Sequence, residues 1–205
     1  PARAQAIQKA WTSQRRLREV MVFLQGYGVS PAFAARIYKR YGAAAIARVR
    51  ENPFRLAFDV WGIGFLSADR LATALGIARD SDVRVEAGVR HALDEAGGLG
   101  HVFLPRGRLV EEAAKLLEVE PALVEAAVDR LGRAGDVAIE STPEGAAVYE
   151  VGLFRAEVAA ATGLLRLLRG RANPLRVDAD RAIARYQAEA HITLAPQQAV
   201  AVRRA

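Results

Sequence analysis

The sequence predicts a mainly α protein: a tandem helix-hairpin-helix region followed by a winged-helix-like unit with a small β-hairpin. Two glycine turns carry the first part. Gly26-Tyr27-Gly28-Val29 and Gly62-Ile63-Gly64-Phe65 stand 36 residues apart, in register, and each leads into an amphipathic helix. The second part rests on two helical stretches followed by two alternating runs across a Pro143-Glu144-Gly145 turn. Apolar residues elsewhere recur at helical spacing.

Residues 1–11 read as the end of a helix that begins upstream. Leu17, Val20, Met21 and Leu24 place the first hairpin's first helix at 14–25. Ser30 caps the second, Pro31 fits its first turn, and Gly42 stops it after Tyr41. Phe33, Ile37 and Tyr41 form its apolar face. A short connecting helix holds Ile46 and Val49, and Asn52-Pro53 opens the second unit. Leu56 and Val60 precede the second turn; Ala68, Leu71, Ala72 and Leu75 follow it, and Gly76 ends it. Ala32 and Ala68, each four residues beyond a turn glycine, allow close helix approach.

Val85, Val89, Leu93 and Ala96 define a helix over 83–97. Leu109, Ala113, Leu116 and Leu117 define one over 107–117, and Leu123, Ala127, Val128 and Leu131 one over 122–133. Val137 and Ile139 alternate before the turn, and Val148, Tyr149 and Val151 return after it. Helix, turn, helix and β-hairpin make the winged-helix pattern. Residues 153–169 are helical, 170–176 form a linker, 178–190 are helical, and a new helix starts after Pro196.

The chain has 205 residues and no cysteine, which excludes disulfides and thiolate sites. No apolar run is long enough to span a bilayer. His91, His101 and His191 lack metal-ligand spacing, and no grouping suggests a hydrolytic site. Basic residues are nearly all arginine, a bias of composition with little functional content. The net charge of +6 is uneven: residues 1–50 carry +9 and residues 80–150 carry −8. A polyanion would meet the first hairpin and be repelled by the middle.

Glycine turns at helix N-termini aim backbone amides outward and hold phosphates without reading bases. The candidate phosphate-binding residues are Gly26, Gly28, Val29, Arg36, Lys39, Arg40, Gly62, Gly64 and Phe65. The first turn can equally be a plain helix connector; at the second, Asp69 disfavours phosphate, and packing of the domain onto a motor is the alternative. Tyr27 and Trp61 are candidates to stack on bases or to fill the hairpins. The would-be reading helix carries Glu120, Glu125 and Asp129 against Arg130 and Arg133, which favours a structural or protein-contact role.

The run Phe23 to Ser30, then Ile37 to Gly42, resembles the N-terminal region of RecD-like superfamily 1 DNA helicases. So do Glu51 to Ala57, Trp61 to Phe65 with Ala68-Asp69, Gly100 to Pro105, and Val148-Tyr149. The ending Leu194-Ala195-Pro196-Gln197-Gln198 looks like the opening of the motor in that superfamily, with Gln198 at the adenine-reading position. The resemblance covers nearly all of the chain and points to the long-N-terminus type, acting without the RecB and RecC partners.

It implies a helix-hairpin-helix region over 1–80, a winged-helix-like domain over 81–151 and a helical connector over 152–192. The start of a truncated RecA-like motor occupies 193–205. It also implies a bacterial, cytoplasmic, nucleoid-associated 5′→3′ helicase of DNA repair or recombination, driven by ATP and Mg²⁺. The DNA would be single-stranded or a junction. No Gly-x-x-x-x-Gly-Lys-Ser/Thr loop occurs in these residues, so the chain alone is expected to be non-catalytic and to bind no cofactor. Two alternatives stay open: a stand-alone structure-specific DNA-binding or scaffold module without ATP, and a protein-interaction domain docking through the acidic 80–150 region.

Overall fold

A computed structural model of the chain describes residues 2–170 and 178–204. It divides into two compact units, Pro1–Ala160 and Ala161–Ala205. The expected linker at 170–176 lies, apart from Gly170, outside the described residues.

The first unit opens with α1 (Ala2–Gly26), a single helix in which the expected segments 1–11 and 14–25 run together. Nothing in the sequence between them breaks a helix, since no proline or glycine intervenes. A turn leads into α2 (Pro31–Tyr41). Ser30 caps it by accepting the Phe33 N–H at 3.3 Å, and Gly42 ends it in a positive-φ conformation. After a 3₁₀ turn, α3 (Ala45–Glu51) completes the first hairpin region. Asn52 Oδ1 then accepts the Phe54 N–H at 3.0 Å and starts α4 (Arg55–Asp59), which turns into α5 (Phe65–Ala74). Buried Val20, Leu24, Ala34, Ile37, Ala45, Val49, Leu56, Val60, Ile63 and Leu71 form one core.

Ala34, not Ala32, is the small residue under the first hairpin: Ala34 is buried and Ala32 exposed. The reason is the position of the helix start. Ala34 and Ala68 each occupy the fourth position of their helix, counting from Pro31 and Phe65.

α6 (Asp82–Gly98), α7 (Arg106–Leu117) and α8 (Pro121–Ala134) pack around the second core. β2 (Val137–Thr142) and β3 (Gly145–Glu150) form the expected hairpin. An additional strand, β1 (Phe103–Pro105), pairs antiparallel with β3, giving the order β1-β3-β2. Leu116 and Leu123 are partly exposed, and Val110 and Val124 take the buried places beside Leu109 and Ala127. Val151 is the first residue of α9 (Val151–Arg169) rather than the last of a strand.

The two cores meet at α5. Leu71 belongs to the hairpin core, whereas Phe65, Ala68 and Ala72 on the same helix belong to the second core. In the second unit, α10 (Ala179–Ala190) is capped by Asp178, and α11 (Pro196–Arg204) follows. Arg203 Nε donates to Asp180 Oδ1 at 2.7 Å between them.

Candidate nucleic-acid interface

The two hairpin turns are equivalent at a shift of 34 positions, not at the 36 that separates Gly26 from Gly62. The positive-φ glycines are Gly28 and Gly62, each three residues before its helix. The same shift aligns Tyr27 with Trp61, Val29 with Ile63, Ala34 with Ala68, Arg36 with Arg70, Ile37 with Leu71, and Gly42 with Gly76. Gly42 and Gly76 also share positive φ. Gly26, by contrast, is the last residue of α1, and Gly64 caps α5 with extended φ. Only glycine holds the Gly28 and Gly62 conformations without strain.

The turns spend part of their amides internally. Gly28 N–H donates to Gln25 O at 2.9 Å and Val29 N–H to Leu24 O at 3.0 Å. Ile63 N–H donates to Val60 O at 3.1 Å. Among the described residues, the amides without a protein acceptor are those of Ser30 and Ala32 at the first turn. At the start of α5 they are those of Gly64, Phe65 and Leu66. These are the ordinary open donors of a helix start.

Arg36 crosses from α2 to the second turn. Its Nη1 donates to Trp61 O at 3.0 Å, and its guanidinium lies over Phe33 and Trp61 at 5.4 and 5.3 Å from the ring centroids. A Cβ on Gly62 would come within 2.8 Å of that Nη1, so the bare backbone is needed for the approach. Arg40 Nη2 donates to Asp59 Oδ1 at 3.4 Å, while Asp59 Oδ2 accepts the Tyr41 hydroxyl at 2.6 Å. Arg36 and Arg40 therefore join the hairpins; Lys39 points to solvent.

A groove of about 370 Å³ runs between the turns. Gly28, Val29 and Ser30 line one side; Ile63, Ser67 and Arg70 line the other. Arg70 was not among the candidates from sequence, and the 34-residue shift is the signal that finds it. Its counterpart Arg36 holds the opposite turn's carbonyl. Among the described residues, Arg70 makes only a hydrogen bond to Leu66 O on its own helix, at 3.3 Å, and is exposed.

Asp69 does not face this groove as a free carboxylate. It forms a two-point ion pair with buried Arg84, at 2.7 and 3.0 Å, which ties α5 to α6. Tyr27 fills the first hairpin, edge-on to Phe23 at 5.0 Å, whereas Trp61 is exposed. On α8, Glu125 and Asp129 both pair with Arg106, and Arg130 pairs with Asp82 and Glu86. The Arg106 pair holds the Asp129 carboxyl below its usual range, chiefly through the hydrogen bond. His91 stacks on Phe65 at 4.9 Å and belongs to the packing.

Gln198 lies on α11 in the second unit. Its Oε1 accepts the Ala195 N–H at 2.9 Å, a side chain reaching back to cap its own helix. Among the described residues no helix is long and apolar enough to cross a membrane.

A family model described as the ATP-dependent RecD2 DNA helicase HHH domain matches residues 13–103, the stretch that contains both turns, the groove and Arg84. Over these residues the chain resembles the N-terminal region of RecD-like helicases. It is similar to the ATP-dependent RecD2 DNA helicase of Deinococcus radiodurans, 37% identical over 155 residues. Those residues are 75% of this chain and 20% of that protein, so the chain spans about a fifth of its relative's length. The RecD-like matches seen at both glycine turns fall within the family's domain.

Proposed function

We propose that this chain is the DNA-holding accessory region of an ATP-dependent 5′→3′ DNA helicase of bacterial repair or recombination, non-catalytic by itself. The observation that carries it is the groove between the duplicated turns. There Arg70 faces the first turn, whose Ser30 and Ala32 amides are open. One phosphate there would meet a guanidinium and a helix start together. The +9 balance of residues 1–50 draws the polyanion to that side. ATP and Mg²⁺ serve the longer protein, with Gln198 reading adenine there. The winged-helix-like part acts as a body for packing or protein contact, since the acids on α8 are tied to Arg106.

The test is fluorescence anisotropy with unrelated DNA sequences across a salt series. The chain is expected to bind all of them weakly and with a steep salt dependence. Replacing Arg36 or Arg40 would break hairpin contacts, so Lys39→Glu with Arg70→Glu is the cleaner variant. It should weaken every sequence alike and flatten the salt slope by about one unit per lost phosphate contact. Arg133→Glu on α8 should do much less. Binding unchanged in the Lys39/Arg70 variant at every salt would leave the groove a plain helix junction.

A further inference from the structure

We infer that Trp61 is a stacking platform for an unpaired DNA base, placed at the tip of the second hairpin. The two equivalent aromatic positions have diverged. Tyr27 is half-buried and packs edge-on against Phe23, so the first turn uses its aromatic as filling. Trp61, at the same place in the second turn, is 86% exposed. The hairpin therefore does not need this side chain for its core. Leu66 on the first turn of α5 and Phe58 on α4 are also exposed, at 60% and 47%. Three large apolar side chains stand out within nine residues, beyond the single scattered exposures that a surface normally shows.

The chemistry around the indole favours a nucleic-acid base over an apolar protein face. The Arg36 guanidinium lies over the ring, and its Nη1 holds the Trp61 carbonyl at 3.0 Å. Arg90 lies over Phe58 at 3.9 Å from the centroid. Aromatic rings interleaved with arginines are how proteins hold single strands: rings stack on bases, and cations follow the backbone. The bond from Arg36 holds the Trp61 backbone at the turn, which lowers part of the ordering cost of binding. The open Gly64 and Phe65 amides sit directly beyond it for the adjoining phosphate. A base inside a duplex already stacks on both faces, so the occupant is an unpaired one, at a single-stranded segment or a junction.

This inference rests on the DNA-binding reading and adds a preference to it. The test uses the whole 205-residue chain, a labelled thymidine 12-mer and a duplex of equal length. Trp61→Ala should lose about five- to a hundred-fold affinity for the single strand and almost none for the duplex. Trp61→Phe, which keeps a ring under Arg36, should fall between. In a Trp11→Phe background, the remaining indole emission should be quenched by the thymidine strand. Circular dichroism and melting of both variants guard against a folding defect. Equal single-strand binding by Trp61→Ala and the parent would overturn the inference, as would an equal loss for duplex. In those cases the groove reading stands. A parent that binds neither DNA overturns both.

Discussion

Arg84 shows how one side chain settles the orientation of a helix. It is the buried charged residue of the described structure, and its donors are well matched. Nε and Nη2 meet the two oxygens of Asp69, and Nη1 donates to Arg79 O at 2.7 Å and Leu117 O at 3.0 Å. The planar guanidinium suits this fork, and lysine would not. Removing one partner of such a pair leaves the other charge buried and unmatched. Arg84→Ala should cost about 3–5 kcal/mol in urea unfolding. Replacing the pair together, Arg84→Met with Asp69→Leu, should recover most of it, because an apolar pair of similar volume avoids the desolvation cost. An unchanged unfolding midpoint in Arg84→Ala would show that the pair is solvated in solution.

At the scale of elements, the hairpins are joined by a polar clamp as well as by a core. Asp59 at the end of α4 takes the Tyr41 hydroxyl from the end of α2, with Arg40 and Arg55 nearby. Burial, then the bond to Asp59, pushes the Tyr41 phenol up to about 12. That same bond is the main cause holding the Asp59 carboxyl below its usual value of 3.8. The signs follow from linkage. A depressed carboxyl stabilises above its ordinary value and loses that contribution as pH falls through the folded one. A raised phenol stabilises below pH 10 and loses the contribution as pH climbs toward 12. Tyr41→Phe should therefore cost about 0.5–1.5 kcal/mol at neutral pH. The gap to the parent should narrow below about pH 4 and above about pH 10 in urea melts. A gap constant from pH 3 to 11 would rule the clamp out.

The helices of this region were legible because apolar spacing and caps agree, as at Ser30, Pro31 and Gly42. The pairing of the turns was not, since Gly26-x-Gly28 and Gly62-x-Gly64 match as letters yet differ in conformation. Backbone φ, not residue identity, makes Gly28 the partner of Gly62. Leu116 and Leu123 misled for a similar reason: several leucines fit one helical face, and packing chose Val110 and Val124. The three-residue β1 is too short for any periodicity to announce it. Arg84 and Asp69 lie fifteen positions apart on different helices, a contact that no local pattern encodes.

For the molecule as a whole, the question is what these 205 residues can do by themselves. It contains no phosphate loop, so the isolated chain should hydrolyse no ATP above blank, with or without single-stranded DNA. DNA-stimulated turnover by the pure chain would refute this. Gln198 tests the proposed link to ATP, but its side chain already has a task. Capping the Ala195 amide engages Oε1, the atom that adenine's amino group would need. Gln198→Ala in a longer, ATP-hydrolysing protein should thus have two separable effects. Loss of the cap costs about 1 kcal/mol of local helix stability and is blind to the nucleotide. Loss of adenine contact should weaken ATP by about 1–3 kcal/mol and leave GTP nearly unchanged. Steady-state KM values for both nucleotides distinguish them. A KM that rises equally for ATP and GTP assigns Gln198 to the cap alone, whereas a rise confined to ATP makes it the adenine reader.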